Sequence, residues 1–274
     1  MDGNKVEIDN VTLHLSHPDE LPMKWVGQRE LVMQLLAAWL VLSPKDFPLN
    51  PRLLGKPGVG KTTLAYSTAR ELGQEVYIFQ ATMDTRPEDL LITPVVSSHS
   101  GIKYVASPVV TAMIRGGVLI LDEGNRMSEK SWASLAPLLD NRRYIESLVA
   151  GIKVNASPEF KFCATMNDDA STFELPEYIH SRLQPQIFID FPEKEDELLI
   201  LKENLPFLDS QILDYVVNFL QRAHRKDEPY TVRDGINIAR YAGKLMKSRS
   251  YPVDEALRKA ITQILKDEAL VYAI

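Results

Sequence analysis

The sequence predicts an α/β fold, a layered and mainly parallel sheet, followed by a small helical domain. Three observations predict it. Strand-like and helix-like segments alternate between residues 52 and 191, as they do when helices cover the faces of a parallel sheet. The run Val118, Leu119, Ile120, Leu121 is apolar without alternation, which suits a strand buried on both faces. Beyond Pro192 the strand signals cease and four stretches of helical periodicity follow, so the domain boundary is placed near Pro192, giving domains 1–191 and 192–274.

The elements follow in order along the chain. Val6, Ile8, Val11, Leu13 and Leu15 alternate around Asp9 and Asn10 and predict a short hairpin or edge strand. Residues 28–42 carry Leu31, Val32, Leu35, Leu36, Trp39 and Leu40 at helical spacing, closed by Ser43 and Pro44. A strand at 52–54, a glycine-rich loop and a helix at 61–72 come next, then a strand at 76–80 and a helix at 86–91. Two β-rich arms around the polar turn 98–101 predict a hairpin over 92–107, and Gly116-Gly117 precedes the strand at 118–121. A helix at 129–139, a second hairpin across 144–155 with Gly151 near its turn, and strands at 160–165 and 187–191 complete the alternating part. The helical part comprises 195–203, 210–225, 232–247 and 253–272, punctuated by Pro206, Pro229 and Pro252. No internal repeat or low-complexity segment interrupts this order.

Composition excludes several classes. With 274 residues, 45% hydrophobic and 25% charged, the chain has enough apolar material for one large and one small domain. The longest apolar stretch, 31–42, is broken by Gln34 and is shorter than the roughly 20 residues a membrane span needs. The start MDGNKVEIDN lacks the basic and apolar regions of a signal peptide, and the expected location is cytoplasmic, with no membrane partner. One cysteine, Cys163, cannot form an internal disulfide, and five scattered histidines lack metal-ligand spacing. The net charge of -6 weighs against a broadly basic surface for nucleic acid without excluding a local basic stripe.

The chemistry begins at GKPGVGKTT, residues 55–63. Gly55, Gly60, Lys61 and Thr62 fit G-x-x-x-x-G-K-[ST], with Lys56, Pro57, Gly58 and Val59 between the glycines and Thr63 after. Glycines permit positive φ, the loop amides turn toward phosphates, and the following helix offers its positive end. Lys61 is expected to reach the β and γ phosphates, and Thr62 to coordinate Mg²⁺. The run VLILDE, 118–123, sets Asp122 and Glu123 at the C-terminal end of a buried strand, where open α/β sheets bind ligands. Asp122 is expected to hold Mg²⁺ and Glu123 to act on water as general base. Adjacent acids fit water activation better than transfer to a second substrate, so nucleotide hydrolysis is preferred to a kinase reaction.

These residues resemble the AAA+ ATPases, in particular the branch of the MoxR proteins and their AAA_5-type relatives. The resemblance runs from WVGQRE at Trp25 to TVRDG at Thr231 and implies a P-loop NTPase three-layer αβα sandwich followed by an all-helical lid. Val26, Gly27 and Gln28 resemble the segment that packs on adenine. GKPGVGKTT and VLILDE resemble Walker A and Walker B, and Gly124-Asn125-Arg126 resembles the family's D-E-I-N-R with glycine in place of isoleucine. CATMND, 163–168, resembles the sensor 1 strand, in which Asn167 orients the lytic water. Arg182 in LPEYIHSRL matches the arginine finger, and Arg233 in TVRDG matches the lid arginine called sensor 2, a place for which Arg222 and Arg240 compete. Arg142 and Arg143 are expected in a solvated turn.

The resemblance further implies ATP as the nucleotide, Mg²⁺, and a self-assembled ring, a hexamer, in which Arg182 completes the neighbouring subunit's site. The hairpin over 92–107 resembles the branch's helix-2 insert, which is raised over the ring pore. The implied function is a remodeller or chaperone of a client protein, often working with a partner bearing a von Willebrand factor A domain. The alternative is a nucleic-acid motor or loader of the clamp-loader or restriction-associated kind, which shares the same core; a nucleotide-gated scaffold is disfavoured by the intact motifs.

Overall fold

A computed structural model describes residues 4–22, 24–97, 101–167, 174–249 and 251–273. The chain divides into two compact units: one of residues 1–25, 30–55 and 61–188, the other of residues 26–29, 56–60 and 189–274.

The first unit opens with β1 (Lys5–Ile8) and β2 (Val11–His14), an antiparallel hairpin. Its turn is made by Asp9 and Asn10, both at positive φ, which the short side chains of Asp and Asn tolerate. Helix α1 (Arg29–Trp39) is shorter than the predicted 28–42. Leu40 and Leu42 are exposed, so the apolar spacing continues past the last residue that has a core to face. Trp39 ends the helix buried, its indole N–H donating to the carbonyl of Phe162 at 3.0 Å.

Next come β3 (Arg52–Gly55), α2 (Lys61–Glu71), β4 (Val76–Gln80) and α3 (Pro87–Leu90). The predicted hairpin is β5 (Ile92–Ser97) and β6 (Gly101–Ala106), with the residues of its turn, 98–100, outside those described. Rather than standing alone, it extends the N-terminal hairpin into a four-stranded sheet, β1-β2-β6-β5, in which β6 runs parallel to β2. Helix α4 (Pro108–Arg115) lies where the sequence predicts no element. Its signals are nevertheless local: Ser107 caps the Val110 amide, Pro108 opens the helix, and Gly116 closes it at φ 70°.

Strand β7 (Val118–Asp122), a short 3-10 turn (Gly124–Arg126) and α5 (Glu129–Leu135) follow. α5 stops short of the predicted residue 139 because Pro137 has no amide to continue the ladder, while Leu138 and Leu139 stay buried. The second hairpin is β8 (Tyr144–Ser147) and β9 (Ile152–Asn155). β10 (Lys161–Asn167), α6 (Glu177–His180) and β11 (Gln186–Phe188) complete the unit. The central sheet has the order β11-β3-β10-β7-β4, and every pairing is parallel. α2 packs on β3, β10 and β7, and α4 on β4 and β7. Val118 to Leu121 are accordingly buried on both faces.

The second unit is helical: α7 (Lys194–Asn204), α8 (Ser210–His224), α9 (Val232–Arg249) and α10 (Val253–Leu265). The last predicted helix, 253–272, is interrupted at Lys266, at φ 71°, and continues as a 3-10 turn, Asp267–Tyr272. Leu201, Val216, Phe219, Leu220, Ile238 and Ile261 form its core. Thr231 and Asp234 form a capping box at the start of α9: Asp234 accepts the Thr231 amide at 2.8 Å, and Thr231 Oγ1 accepts the Asp234 amide at 3.3 Å. Among the described residues, no helix is long and apolar enough to cross a membrane.

Candidate active site

The loop between β3 and α2 turns on Gly58 and Gly60, at φ 83° and 96°, a region that side chains rarely adopt. Helix α2 starts at Lys61, so the loop runs straight into a helix N-terminus. Lys61 is only 6% exposed and its Nζ donates to the carbonyl of Gly55 at 2.9 Å. Thr62 turns its hydroxyl to Asp122, Oγ1 donating to Oδ1 at 2.7 Å.

Asp122 ends β7, and β10 brings its own terminal residues alongside. The register pairs Ala164 with Leu121, so Thr165 comes level with the acidic pair. Its hydroxyl donates to Asp122 Oδ1 at 2.5 Å and accepts the Glu123 amide at 3.0 Å. Glu123 itself sits at φ 54° and ψ 39°, a left-handed conformation that costs a non-glycine residue on the order of 1–3 kcal/mol. The bond to Thr165 fixes this backbone, and two side chains fix the carboxylate: Asn167 Nδ2 donates to Oε1 at 3.4 Å, and Arg126 Nε lies 2.6 Å from Oε2. Asn125 donates to the carbonyl of Asn167 at 2.8 Å, joining the turn after β7 to the end of β10. Lys61, Thr62, Asp122, Glu123 and Asn167 are thus linked through β3, α2, β7 and β10. Thr165 and Asn125 also belong to the cluster; both lie in segments that the sequence marked, CATMND and Gly124-Asn125-Arg126, without a role assigned to either, and a threonine two places before Asn167 on the same strand is the signal that was available. Asp168, the last residue of CATMND, lies outside the described residues.

Gly124 stands where the resembled D-E-I-N-R motif has isoleucine, and Trp132 fills the volume that a side chain there would take. A Cβ there would lie 3.1 Å from Cζ2 of the indole. Cys163 is fully buried, and burial, reinforced by the charge of Asp122, raises its thiol pKa far above the usual range. It is packing, not a nucleophile.

Arg182 has other partners. Its guanidinium donates to the carbonyl of Tyr178 at 2.5 Å and lies 3.4 Å from the Asp140 carboxylate. Asp140 also takes Arg142 at 2.8 Å, and these hydrogen bonds, Arg142's above all, lower its pKa to about 2. Arg142 is exposed, as expected of a solvated turn, whereas Arg143 is buried with its guanidinium on the carbonyl of Phe160 at 2.8 Å. Burial keeps Arg143 from being a surface charge.

Thr63 follows Thr62 in the first turn of α2, in the first unit, and the other predicted residues lie in the second unit. Gly27, at φ 76°, leaves no room for a Cβ beside Asp196, whose carboxylate accepts the Gln28 amide at 3.2 Å. Val26 precedes it, half-buried. Gly58 is likewise close to Thr231: a Cβ would lie 2.8 Å from its Oγ1. Lys56, Pro57, Val59 and Gly60 belong to the same unit, with Val59 buried. Arg233 is exposed on the first turn of α9.

The groups at Asp122 are hard oxygens, its own carboxylate and the hydroxyls of Thr62 and Thr165, which suits Mg²⁺. Among the described residues there is no cluster of three or more His, Cys, Asp or Glu for a metal; Mg²⁺ needs none, because phosphates and water supply most of its ligands.

Residues 52–183 match the AAA domain, dynein-related subfamily. An uncharacterized protein of Staphylococcus epidermidis is 24% identical over 242 residues, covering 83% of this chain and 89% of that protein. An uncharacterized protein of Staphylococcus aureus is 24% identical over the same length and shares. Among solved structures, the RuvB Holliday junction branch migration motor of Thermotoga maritima is 16% identical with a TM-score of 0.59, covering 87% of this chain and 70% of that one. A protein of Cytophaga hutchinsonii is 19% identical with a TM-score of 0.53, covering 87% and 81%. At these identities the structural likeness speaks for the fold, that of the AAA+ ATPases.

Proposed function

On the premise that residues 52–183 form an AAA domain, we propose that the chain is a Mg-ATP-dependent, ring-forming ATPase that remodels or chaperones a partner protein, as MoxR proteins do. The AAA domain supports ATP hydrolase activity. The observation that carries the catalytic reading is the cluster of Thr62, Asp122, Glu123, Thr165 and Asn167 at the ends of β7 and β10.

Each residue has a distinct task. Lys61 neutralises charge on the β and γ phosphates, and the loop amides bind their oxygens. Thr62 and Asp122 hold Mg²⁺, which when bound offsets the charge developing on the transferring phosphoryl group. Glu123 accepts a proton from the attacking water, and Asn167 orients both the water and the carboxylate. Thr165 keeps Glu123 in its left-handed conformation, which directs the carboxylate away from the line of β7. Val26 and Gly27 contact the base, and Arg233 reaches the phosphates.

Arg182 supplies the remaining cation, in trans, to the site of a neighbouring subunit in a hexamer. Its tie to Asp140 and Tyr178 supports a role away from its own chain's cluster. It borders a cavity of about 500 Å³ lined by Asn50, Asp140 and Ser181 and by Phe47 and Leu49, a mixed surface suited to a second copy. The client is a protein, and a von Willebrand factor A domain protein is the expected co-factor in the complex.

A second reading, a nucleic-acid motor or loader, is favoured by α9. Arg233, Arg240, Lys244 and Lys247 are exposed along it, with Asn237 and Tyr241 between. Its one acid, Asp234, is turned to Thr231. A groove of about 450 Å³ opens beside Arg240, Tyr241 and Lys244. This local basic face contrasts with the chain's net charge of -6.

One experiment tests both. Steady-state ATP hydrolysis is measured across protein concentrations, with Glu123→Gln alongside, and with and without single- and double-stranded DNA. Specific activity that rises with concentration, is lost in the variant and ignores DNA is the expected result. Activity independent of concentration rejects the ring, and strong stimulation by DNA moves the second reading into first place.

A further inference from the structure

The tip of the phosphate loop is gripped by residues more than a hundred positions further along the chain. Lys56 Nζ lies 4.7 Å from the ring centroid of Phe191. Phe191 also stacks on His224, centroid to centroid 3.9 Å with 7° between the planes. His224 is in turn fixed: its Nε2 lies 2.6 Å from the carbonyl of Tyr230. Tyr230 stacks on Phe219 of the helical core at 6.1 Å. The next residue, Thr231, closes on Gly58 so tightly that a Cβ would meet its hydroxyl at 2.8 Å. The dipeptide Tyr230-Thr231 therefore reaches the loop twice, directly at Gly58 and through His224 and Phe191 at Lys56. All of these residues belong to the second unit.

We propose that Phe191 and His224 are positioning residues for the phosphate loop, holding Lys56 and with it the loop tip in the shape that receives phosphates. The inference rests on the nucleotide reading of that loop. Its physical basis is separate. A lysine in a glycine-rich loop has much conformational entropy to lose on ordering. An aromatic face gives the ammonium an attractive site. A neutral imidazole best serves as the backing ring. Burial, with the positive charge of Lys56 as a smaller contribution, lowers the pKa of His224, and the hydrogen bond to the Tyr230 carbonyl opposes this less strongly. Glycines alone give the loop freedom; the stack removes it before a nucleotide arrives, and a preorganised site binds more tightly.

The test uses the full chain and a fluorescent ATP analogue with Mg²⁺. Phe191→Ala and His224→Ala are each expected to raise Kd and KM about tenfold, with kcat changed less than about twofold. Phe191→Tyr and His224→Phe, which keep stacked rings, are expected to restore affinity. The double variant Lys56→Ala/Phe191→Ala should be no weaker than Lys56→Ala, because the two act through one contact. Unchanged affinity in the alanine variants, or strictly additive losses, overturns the proposal. Hydrogen exchange at the amides of residues 56–60 provides a readout that needs no nucleotide: exchange should accelerate in both alanine variants and not in the conservative ones. If the unaltered chain binds no nucleotide, the reading of the loop fails while exchange still decides whether the stack orders it.

Discussion

Glu123 combines two requirements that conflict in an ordinary strand: its backbone must leave β7 sharply, and its carboxylate must be held by Asn167. The structure meets both by placing Glu123 at φ 54° and pinning its amide to Thr165. Glu123→Gln keeps the shape and removes the proposed base. Hydrolysis is expected to fall on the order of 10²–10⁴-fold with nucleotide binding retained, measured by single-turnover assay beside equilibrium titration; a variant that hydrolyses normally sinks the assignment. Gly124 shows why a departure from a familiar motif need not loosen a turn. With a Cβ only 3.1 Å from the Trp132 ring, Gly124→Ile forces the indole from its pocket and is expected to destabilise the fold by about 1–3 kcal/mol. Chemical denaturation checks this, and a smaller residue at 132 should recover part of the loss. Lys61, Thr62, Asp122, Glu123 and Asn167 were legible because each falls in a short motif whose chemistry fixes the spacing. Thr165, Asn125 and Trp132 were not, since their roles depend on which strand lies beside which and where the indole packs.

Helices and strands were legible where their pattern meets a buried face, as in β4, predicted and found at Val76–Gln80. Ends slipped where periodicity outran the core, at Leu40 to Leu42, or where a backbone break intervened, at Pro137 and Lys266. The pairing of β6 with β2 could not be read at all, because strands 92–107 and 5–14 share no local signal. Helix α7 carries a consequence for stability. Glu197 faces inward on it, fully buried, with Oε2 accepting from Gln221 at 3.0 Å. Burial raises its pKa from 4.5 to about 7, against the opposing effect of the Gln221 hydrogen bond. The folded chain therefore keeps a proton that the unfolded chain loses between these values. Stability falls as pH rises through that window: the penalty is absent below the unfolded value and complete above the folded one, on the order of 3 kcal/mol. Glu197→Gln is expected to stabilise the protein at about pH 8 by that order and to be neutral at about pH 4. Denaturation at the two pH values measures it, and an equal effect at both means that packing, not ionisation, is responsible.

At the scale of the whole molecule, on the proposed function the cluster of β3, α2, β7 and β10 supplies a base, an orienting amide and the groups for a metal and for phosphates, while Arg182 donates its hydrogen bonds to the Tyr178 carbonyl and the Asp140 carboxylate. The charge that develops on a transferring phosphoryl group needs a cation close by, and an arginine supplied in trans is worth roughly 10³-fold or more in turnover. A ring makes this arithmetic visible. Arg182→Ala and Glu123→Gln chains should each be inactive alone, the first for want of a finger and the second for want of a base. Mixed in equal amounts, they should regain activity: a neighbour carrying Glu123→Gln still offers Arg182, and a chain carrying Arg182→Ala still offers Glu123. Roughly a quarter of interfaces in a randomly mixed closed ring then hold one intact pair, and turnover should recover toward that fraction when the subunits are allowed to exchange. Recovery without exchange, or full turnover by the assembled Arg182→Ala chain alone, places the stabilising cation elsewhere. Asp140 then becomes the more informative residue, because its carboxylate joins Arg182 to Arg142, and Arg142, exposed on the same turn, is the next cation able to reach across to a second copy.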